Sequence, residues 1–156
     1  MHVEVYSDGS ARGNPGPGGY GTVLRYVAPD GQEHIREYSQ GYKNTTNNRM
    51  ELMGAIVGFE ALTKPCDVTF TSDSKYVTEA FNEKWIDYWM THDFVKKDKK
   101  PVKNRELWER LLKAIEPHNV TFNWVKGHNG HLYNERCDKL ATEAAAGENL
   151  LDDVES

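Results

Sequence analysis

Four carboxylates in this chain stand where a fold can gather them. Two apolar runs end in the same pair, V-E-V-Y-S-D at Asp8 and V-T-F-T-S-D at Asp73. In the first, Val3, Val5 and Ser7 fall on one face and Glu4, Tyr6 and Asp8 on the other, the period of a strand. Gly9 and the following G-N-P-G-P-G-G are expected to stop that strand at Asp8. Glu51 lies beside Leu52 at the edge of a helix's apolar face, and Asp138 near the start of the last helix, where the dipole favours an anion. Gathered in one pocket, such groups repel by about 1 kcal/mol per pair at about 4 Å in water, and by several times that in a partly dry site. A cation must compensate. Oxygen ligands without thiolate favour Mg²⁺ or Mn²⁺, and a pair of ions bridged by carboxylates activates a water and stabilises a departing alkoxide, the chemistry of phosphodiester hydrolysis. Taken singly, each residue also has an ordinary explanation: Asp8 and Asp73 as turn caps, Glu51 paired with Arg49, and Asp138 paired with Arg136 or Lys139.

The elements that must position these groups follow from periodicity. Residues Gly13 to Gly21 look like a phosphate-cradling loop but lack the Gly-Lys-Ser/Thr ending, and two prolines remove N–H donors, so they read as a tight connection between antiparallel strands. Tyr20 to Val27 and Glu33 to Tyr42 flank Pro29-Asp30-Gly31 and predict a hairpin. After the capping cluster Thr45-Thr46-Asn47-Asn48, Leu52, Ile56, Phe59 and Leu62 mark one helix face, with Pro65 as its stop. A strand follows at Val68 to Ser72, parallel to the first by a right-handed crossover. Helices are expected at Ser74 to Phe81, Trp85 to His92, Asn104 to Ile115 and Asn134 to Ala146, with a fifth strand at Val120 to Val125. The fold class is α/β: a five-stranded mixed sheet, three antiparallel strands then two parallel additions, with helices on both faces. Ligands of such sheets gather beyond the carboxyl ends of parallel strands, which is where Asp8 and Asp73 emerge.

Composition bounds the rest. A chain of 156 residues, 38% hydrophobic, suits one domain with one core. Two cysteines, Cys66 and Cys137, with no apolar leader and no membrane span, point to a reducing cytoplasm. The formal charge of −5 argues against indiscriminate nucleic-acid binding, yet Lys96, Lys97, Lys99, Lys100 and Lys103 are concentrated in one stretch, opposed by the acidic end Glu148, Asp152, Asp153 and Glu155. A zinc set of His128, His131, Cys137 and Asp138 is disfavoured, because its spacing matches no zinc signature and neighbouring helix residues do not aim at one ion.

The segments D-G-S, G-N-P-G-P-G-G-Y-G, N-N-R-M-E-L, T-S-D-S-K-Y-V, D-K-K-P-V-K-N and W-V-K-G-H-N-G-H-L-Y-N-E-R-C-D resemble, in order and spacing, the bacterial type 1 ribonuclease H family over nearly the whole chain. The resemblance implies a ribonuclease H-like fold and a catalytic domain over residues 1–146; the hairpin around Pro29 and the C-terminal end are unmatched, and residues 147–156 are expected to form a flexible acidic tail. It implies an endonuclease that cleaves the RNA strand of an RNA/DNA hybrid, leaving 5′-phosphate and 3′-hydroxyl ends, with two Mg²⁺ ions and Mn²⁺ as a substitute. Carried over, Asp8, Glu51 and Asp73 hold one ion, Asp8 and Asp138 the second, and His128 on a glycine-flanked loop assists proton transfer or product departure. Asn14, Asn47 and Asn48 match the residues that read the minor groove, where 2′-hydroxyls distinguish RNA from DNA. Tyr76, Trp85 and Trp89 match the aromatic surface for the DNA strand, and Thr46 and Asn104 its phosphate pocket. Asn44 departs from the family there, standing where many members have arginine. Lys96, Lys97, Lys99 and Lys100 match a basic protrusion that holds the hybrid, although Met90 to Phe94 is poorer in bases than in the family. A monomer free of membranes is expected. Two alternatives have other requirements: a non-catalytic hybrid-binding module needs no carboxylate set, and a junction resolvase of the same fold needs a dimer.

Overall fold

Val3, Val5 and Ser7 are buried as the alternation requires, and the strand that carries them is the middle of the structure. The computed structural model describes residues 1–126 and 131–153. In chain order these form β1 (His2–Ala11), β2 (Gly16–Val27), β3 (Glu33–Thr45), α1 (Asn47–Glu60), β4 (Asp67–Ser72), α2 (Lys75–Asn82), α3 (Trp85–Thr91), α4 (Arg105–Ile115), β5 (Asn119–Trp124), α5 (Leu132–Ala146) and β6 (Leu150–Leu151). The sheet order is β5-β4-β1-β2-β3-β6, with β1, β2 and β3 antiparallel and β4, β5 and β6 added in parallel pairings.

Two differences from the expected layout matter for the site. The strand does not stop at Asp8: β1 runs on to Ala11, because β2 also continues and pairs Asp8 with Gly21 and Ala11 with Gly18. What ends near Asp8 is the parallel pairing with β4, whose last rung is Tyr6 with Thr71. The sheet has six strands where five were expected, since Leu150 and Leu151 pair with Gly41 and Tyr42 of β3. Two residues are too few to carry a periodic signal. The segment expected to be a flexible acidic tail therefore contains a strand, and Asp153 beyond it bonds Arg49 and Thr45.

Helices cover both faces, and glycine sets how closely. Gly21 lacks a Cβ where one would stand 2.3 Å from the Cys137 carbonyl oxygen, so α5 lies directly against β2. These glycines had read only as turn residues. On the opposite face α1 crosses β1, and a Cβ at Gly9 would stand 2.4 Å from the Glu51 amide nitrogen. Leu52, Ala55, Ile56 and Phe59 of α1 join Val68, Phe70, Val77, Trp108 and Leu111 in the main core. Thr46 caps α1, its hydroxyl accepting from the Arg49 N–H at 3.2 Å. The helix ends at Glu60, ahead of Pro65, which lies in the connection to β4.

Candidate active site

Strand alternation decides which face each acid meets. Cross-strand partners share a face, and Gly21 abuts α5, so its partner Asp8 points to the α5 side, where Tyr6 already packs on Tyr133 with ring centroids 5.1 Å apart. Glu51 comes from α1 on the other face and reaches the rim beside Gly9, whose N–H donates to Glu51 Oε1 at 3.1 Å and to Asp8 Oδ1 at 2.9 Å. Asp73 follows directly on β4. Carboxylate oxygens of Asp8, Glu51 and Asp73 all lie within 4.8 Å of one another. Asp138 faces Asp8 from α5 and lines the same open cleft of about 480 Å³, together with Ser10, Asn47, Ser74 and Lys75. Because α5 begins at Leu132, Asp138 lies beyond its first turn, outside the reach of the helix dipole that the sequence suggested.

Such crowding changes acidity. Burial, then the charge of Asp73, push Asp8 up to about 7, with a smaller push from Asp138, against a lowering by the neighbouring Glu51 carboxyl. Burial, reinforced by Asp8 and Asp73, raises Glu51 well above the usual carboxylate range. Glu51 is 4% exposed, and its Oε2 is buried with no hydrogen-bond partner among the described residues. Nor do the expected surface pairs form. Arg49 is engaged by Asp153 and Glu106, Arg136 by Glu37, and Lys139 by Glu143. A buried carboxylate oxygen without a donor, facing two further carboxylates, is the surroundings that a divalent cation with oxygen ligands fits. The donor set suits a hard ion. Zinc is not served, because the Cys137 thiol is fully buried and burial pushes its pKa up.

The other expected site residues are distributed unevenly. Asn14 is exposed on the β1–β2 connection, while Asn47 and Asn48 are exposed in the first turn of α1 beside the cleft. Tyr76, Trp85, Tyr88, Trp89, Lys96 and Lys97 line a second groove of about 480 Å³. Trp85 is exposed there, but Trp89 is only 8% exposed, set edge-on to Trp108 at 5.2 Å, so it supports the groove more than it surfaces it. Thr46 and Asn104, expected to take a DNA phosphate, are already engaged. Thr46 caps α1, and Asn104 accepts from Arg49 at 3.0 Å while donating to the Tyr76 hydroxyl at 3.3 Å. Lys96, Lys97, Lys99 and Lys100 belong to a loop closed by the Val95–Pro101 bridge and the Lys96 N–H to Lys100 carbonyl bond at 2.8 Å. His128 lies outside the described residues.

Lys75 was missed by sequence reasoning, and Arg49 was read only as a surface partner for Glu51. Arg49 is 3% exposed and holds Asp153 through Nε at 2.7 Å and Nη2 at 3.0 Å, and Asn104 and Glu106 through Nη1. Its partners are scattered along the chain, so no local pattern marks it. Lys75 immediately follows the S-D-S turn, and that position alone could have flagged a base beside the acids.

Comparison with known proteins agrees with this geometry. A family model described as RNase H matches residues 1–146. Ribonuclease H of Lachnoclostridium phytofermentans is 65% identical over 154 residues, covering 98% of both chains. Ribonuclease H of Pseudoalteromonas translucida is 54% identical over 152 residues, 97% of this chain and 95% of that protein. Among solved structures, LC9-RNase H1, described as a type 1 RNase H with the type 2 active-site motif, matches with a TM-score of 0.84 at 34% identity, over 94% of this chain and 72% of that one.

Proposed function

The chain belongs to the RNase H family, and from that premise and the acidic cleft we infer an endonuclease that hydrolyses the RNA strand of RNA/DNA hybrids with Mg²⁺ as its resident cation. The observation that carries the cation is Glu51 Oε2, buried without a donor beside Asp8 and Asp73. A non-catalytic binding module gives that atom no purpose. Asp8, Glu51 and Asp73 are the residues that would hold one ion, and Asp8 with Asp138 a second. Bound there, divalent ions supply charge neutralisation, an acidified water and stabilisation of the departing alkoxide.

The chain's own residues prepare that chemistry. The Gly9 N–H orients both Asp8 and Glu51, and the sheet, crossed by α1 and α5, keeps the carboxylates at fixed separation before substrate arrives. Asn47 at the cleft rim, with Asn48 and Asn14, is assigned to meet 2′-hydroxyls and groove edges of the RNA strand. Tyr76, Trp85 and the lysine loop supply an aromatic and cationic track for the DNA strand, and Trp89 backs it. Thr46 and Asn104 bracket the DNA-phosphate position, with Asn44 in place of a cation. His128 is assigned proton transfer or product departure. Residues 1–146 are assigned as the catalytic unit, and we read the working form as a monomer. Both cysteines are free and buried, which fits a reducing cytoplasm. No helix among the described residues is long and apolar enough to cross a membrane.

Incubation with end-labelled RNA/DNA hybrid, duplex RNA and duplex DNA, with Mg²⁺ or with chelator, tests the reading. Cleavage confined to the RNA strand of the hybrid and dependent on Mg²⁺ is expected. Cleavage that persists in chelator, or that also consumes duplex DNA, would overturn it.

A further inference from the structure

Asp73 is held at a point where the sheet no longer holds it. β4 pairs with β1 only to Thr71, and with β5 only to Ser72, opposite Trp124. Asp73 is thus the first residue beyond both ladders, yet its carboxylate must keep station with those of Asp8 and Glu51. A side chain takes over from the ladder: Trp124 Nε1–H donates to the Asp73 carbonyl oxygen at 3.0 Å. The last backbone bond of this corner, Val125 N–H to the Ser72 carbonyl at 3.0 Å, keeps the Trp124 end of β5 against the turn.

The same indole has a second duty. Its ring lies 4.9 Å from Lys75 Nζ, and Lys75 is the one base among the described residues lining the acidic cleft. An ammonium free to swing into the carboxylates would compete with a divalent ion for them, whereas the face of a tryptophan attracts it to the wall. Trp124 itself is 42% exposed on an edge strand, so it contributes little to the core. Its position is explained by what it holds.

We propose that Trp124 is a positioning residue of the metal site: its N–H fixes the peptide that follows Asp73, and so the reach of that carboxylate, while its ring parks Lys75 beside the cleft. This rests on the carboxylate set being the cation site. Trp124→Phe keeps an aromatic face for Lys75 but deletes the N–H. Replacement by benzothienylalanine deletes the N–H and keeps the full bicyclic shape. Mn²⁺ binding to the intact 156-residue chain, followed by calorimetry without hybrid, is expected to weaken about 10-fold in both variants, the usual effect of losing a partner that orients a ligand. kcat is expected to fall in proportion, with KM for hybrid within about twofold. The thermal midpoint of the chelated protein is expected to stay within about 2 °C, as for other exposed positions. Unchanged Mn²⁺ affinity in both variants overturns the proposal. So does a large drop in thermal midpoint with affinity unchanged, which would make Trp124 structural only. Asp73→Asn, titrated in parallel, separates the two levels: wild-type affinity there would remove the metal reading and this proposal with it. Lost affinity in Asp73→Asn with wild-type affinity in both tryptophan variants removes only the role of Trp124.

Discussion

Arg49 and Glu51 stand two residues apart near the start of α1, both buried, and the fold treats them in opposite ways. The guanidinium of Arg49 is met by Asp153 in a two-point contact, by Glu106 and by Asn104. Glu51 accepts one bond from Gly9 and leaves Oε2 with none, among other carboxylates. A buried charge without a partner costs several kcal/mol; the fold avoids that cost at Arg49 by pairing, and at Glu51 the cost shows as a pKa raised by burial. One cluster is complete within the chain. The other is left with an unsatisfied carboxylate, and this contrast separates residues that hold the protein together from those that could hold a metal ion.

The sharpest way to break the contrast is to remove charge from the incomplete cluster. Asp8→Asn or Asp73→Asn nearly preserves shape, so hydrolysis of hybrid in Mg²⁺ is expected to fall more than about 100-fold, beyond the usual loss when only a ligand's supporting partner is removed. Chemical denaturation of the same variants in chelator at neutral pH is expected to show equal or greater stability, since repulsion has been relieved. Near-wild-type cleavage by either variant would end the metal assignment.

The opposite profile is expected at Arg49. Arg49→Ala leaves the partly buried Asp153 without its cation; breaking a fully buried pair costs about 3–5 kcal/mol, so a loss toward the lower end, roughly 10 °C in thermal midpoint for a chain of this size, is expected. Cleavage per folded molecule at low temperature is expected to remain within a fewfold of wild type. A variant that stays stable but loses activity would assign Arg49 to the site instead of the scaffold.

pH separates the clusters by sign. Asp8 has its folded pKa raised to about 7, so its contribution to the metal-free protein is fully present below about pH 4 and is lost as pH rises toward 7. Asp153 is lowered: the hydrogen bonds from Arg49 and Thr45 prevail over its burial. Its contribution is therefore present above the ordinary carboxylate range and is lost as pH falls through its folded value. Urea unfolding in chelator across pH 3 to 8 is expected to show Asp8→Asn removing part of the decline toward neutrality, Glu51 being raised as well, and Asp153→Asn removing part of the decline toward acid. Parallel curves for the two variants would mean that the clusters do not differ as described.

The incomplete cluster was legible in the sequence and the complete one was not, for a physical reason. Asp8 and Asp73 are marked by strand alternation and Glu51 by helix spacing, all local patterns that survive in a string of letters. The Arg49 network joins residues from α1, the start of α4 and the segment after β6, and only the folded chain brings them together. The same limit explains β6, and it explains why Gly21 read as a turn residue when it serves the close approach of α5. Trp89 was assigned to a surface by the family resemblance, although core packing is the ordinary reading of such an aromatic. The T-shaped contact with Trp108 that buries it involves a residue from another helix.

A third class of charge, at the surface, gives the smallest expected effect and bounds the comparison. Lys96 is paired with Asp98 at 3.8 Å, and Lys97 lies 5.4 Å from the Tyr88 ring centroid, so two of the four lysines have partners before substrate arrives. Exposed pairs of this kind contribute little to stability. Their loop is nonetheless anchored at its exit, because Arg105 bonds Asp93 at 3.0 Å and stacks over Phe94 at 4.8 Å. A defined loop presents its charges at defined places, beside the groove that contains Trp85. Replacing Lys96, Lys97, Lys99 and Lys100 by Ala is expected to raise KM for hybrid while leaving kcat at saturation and the thermal midpoint nearly unchanged. The slope of log affinity against log salt, measured in Ca²⁺ to block cleavage, is expected to flatten by just under one unit for each lysine that touches a phosphate. The pairing of Lys96 and Lys97 makes Lys99 and Lys100 the larger contributors, so Lys99→Ala with Lys100→Ala is expected to account for most of that change. An unchanged salt slope in the fourfold variant would make the loop an ordinary solvated surface, and substrate grip would then have to come from the aromatic groove alone.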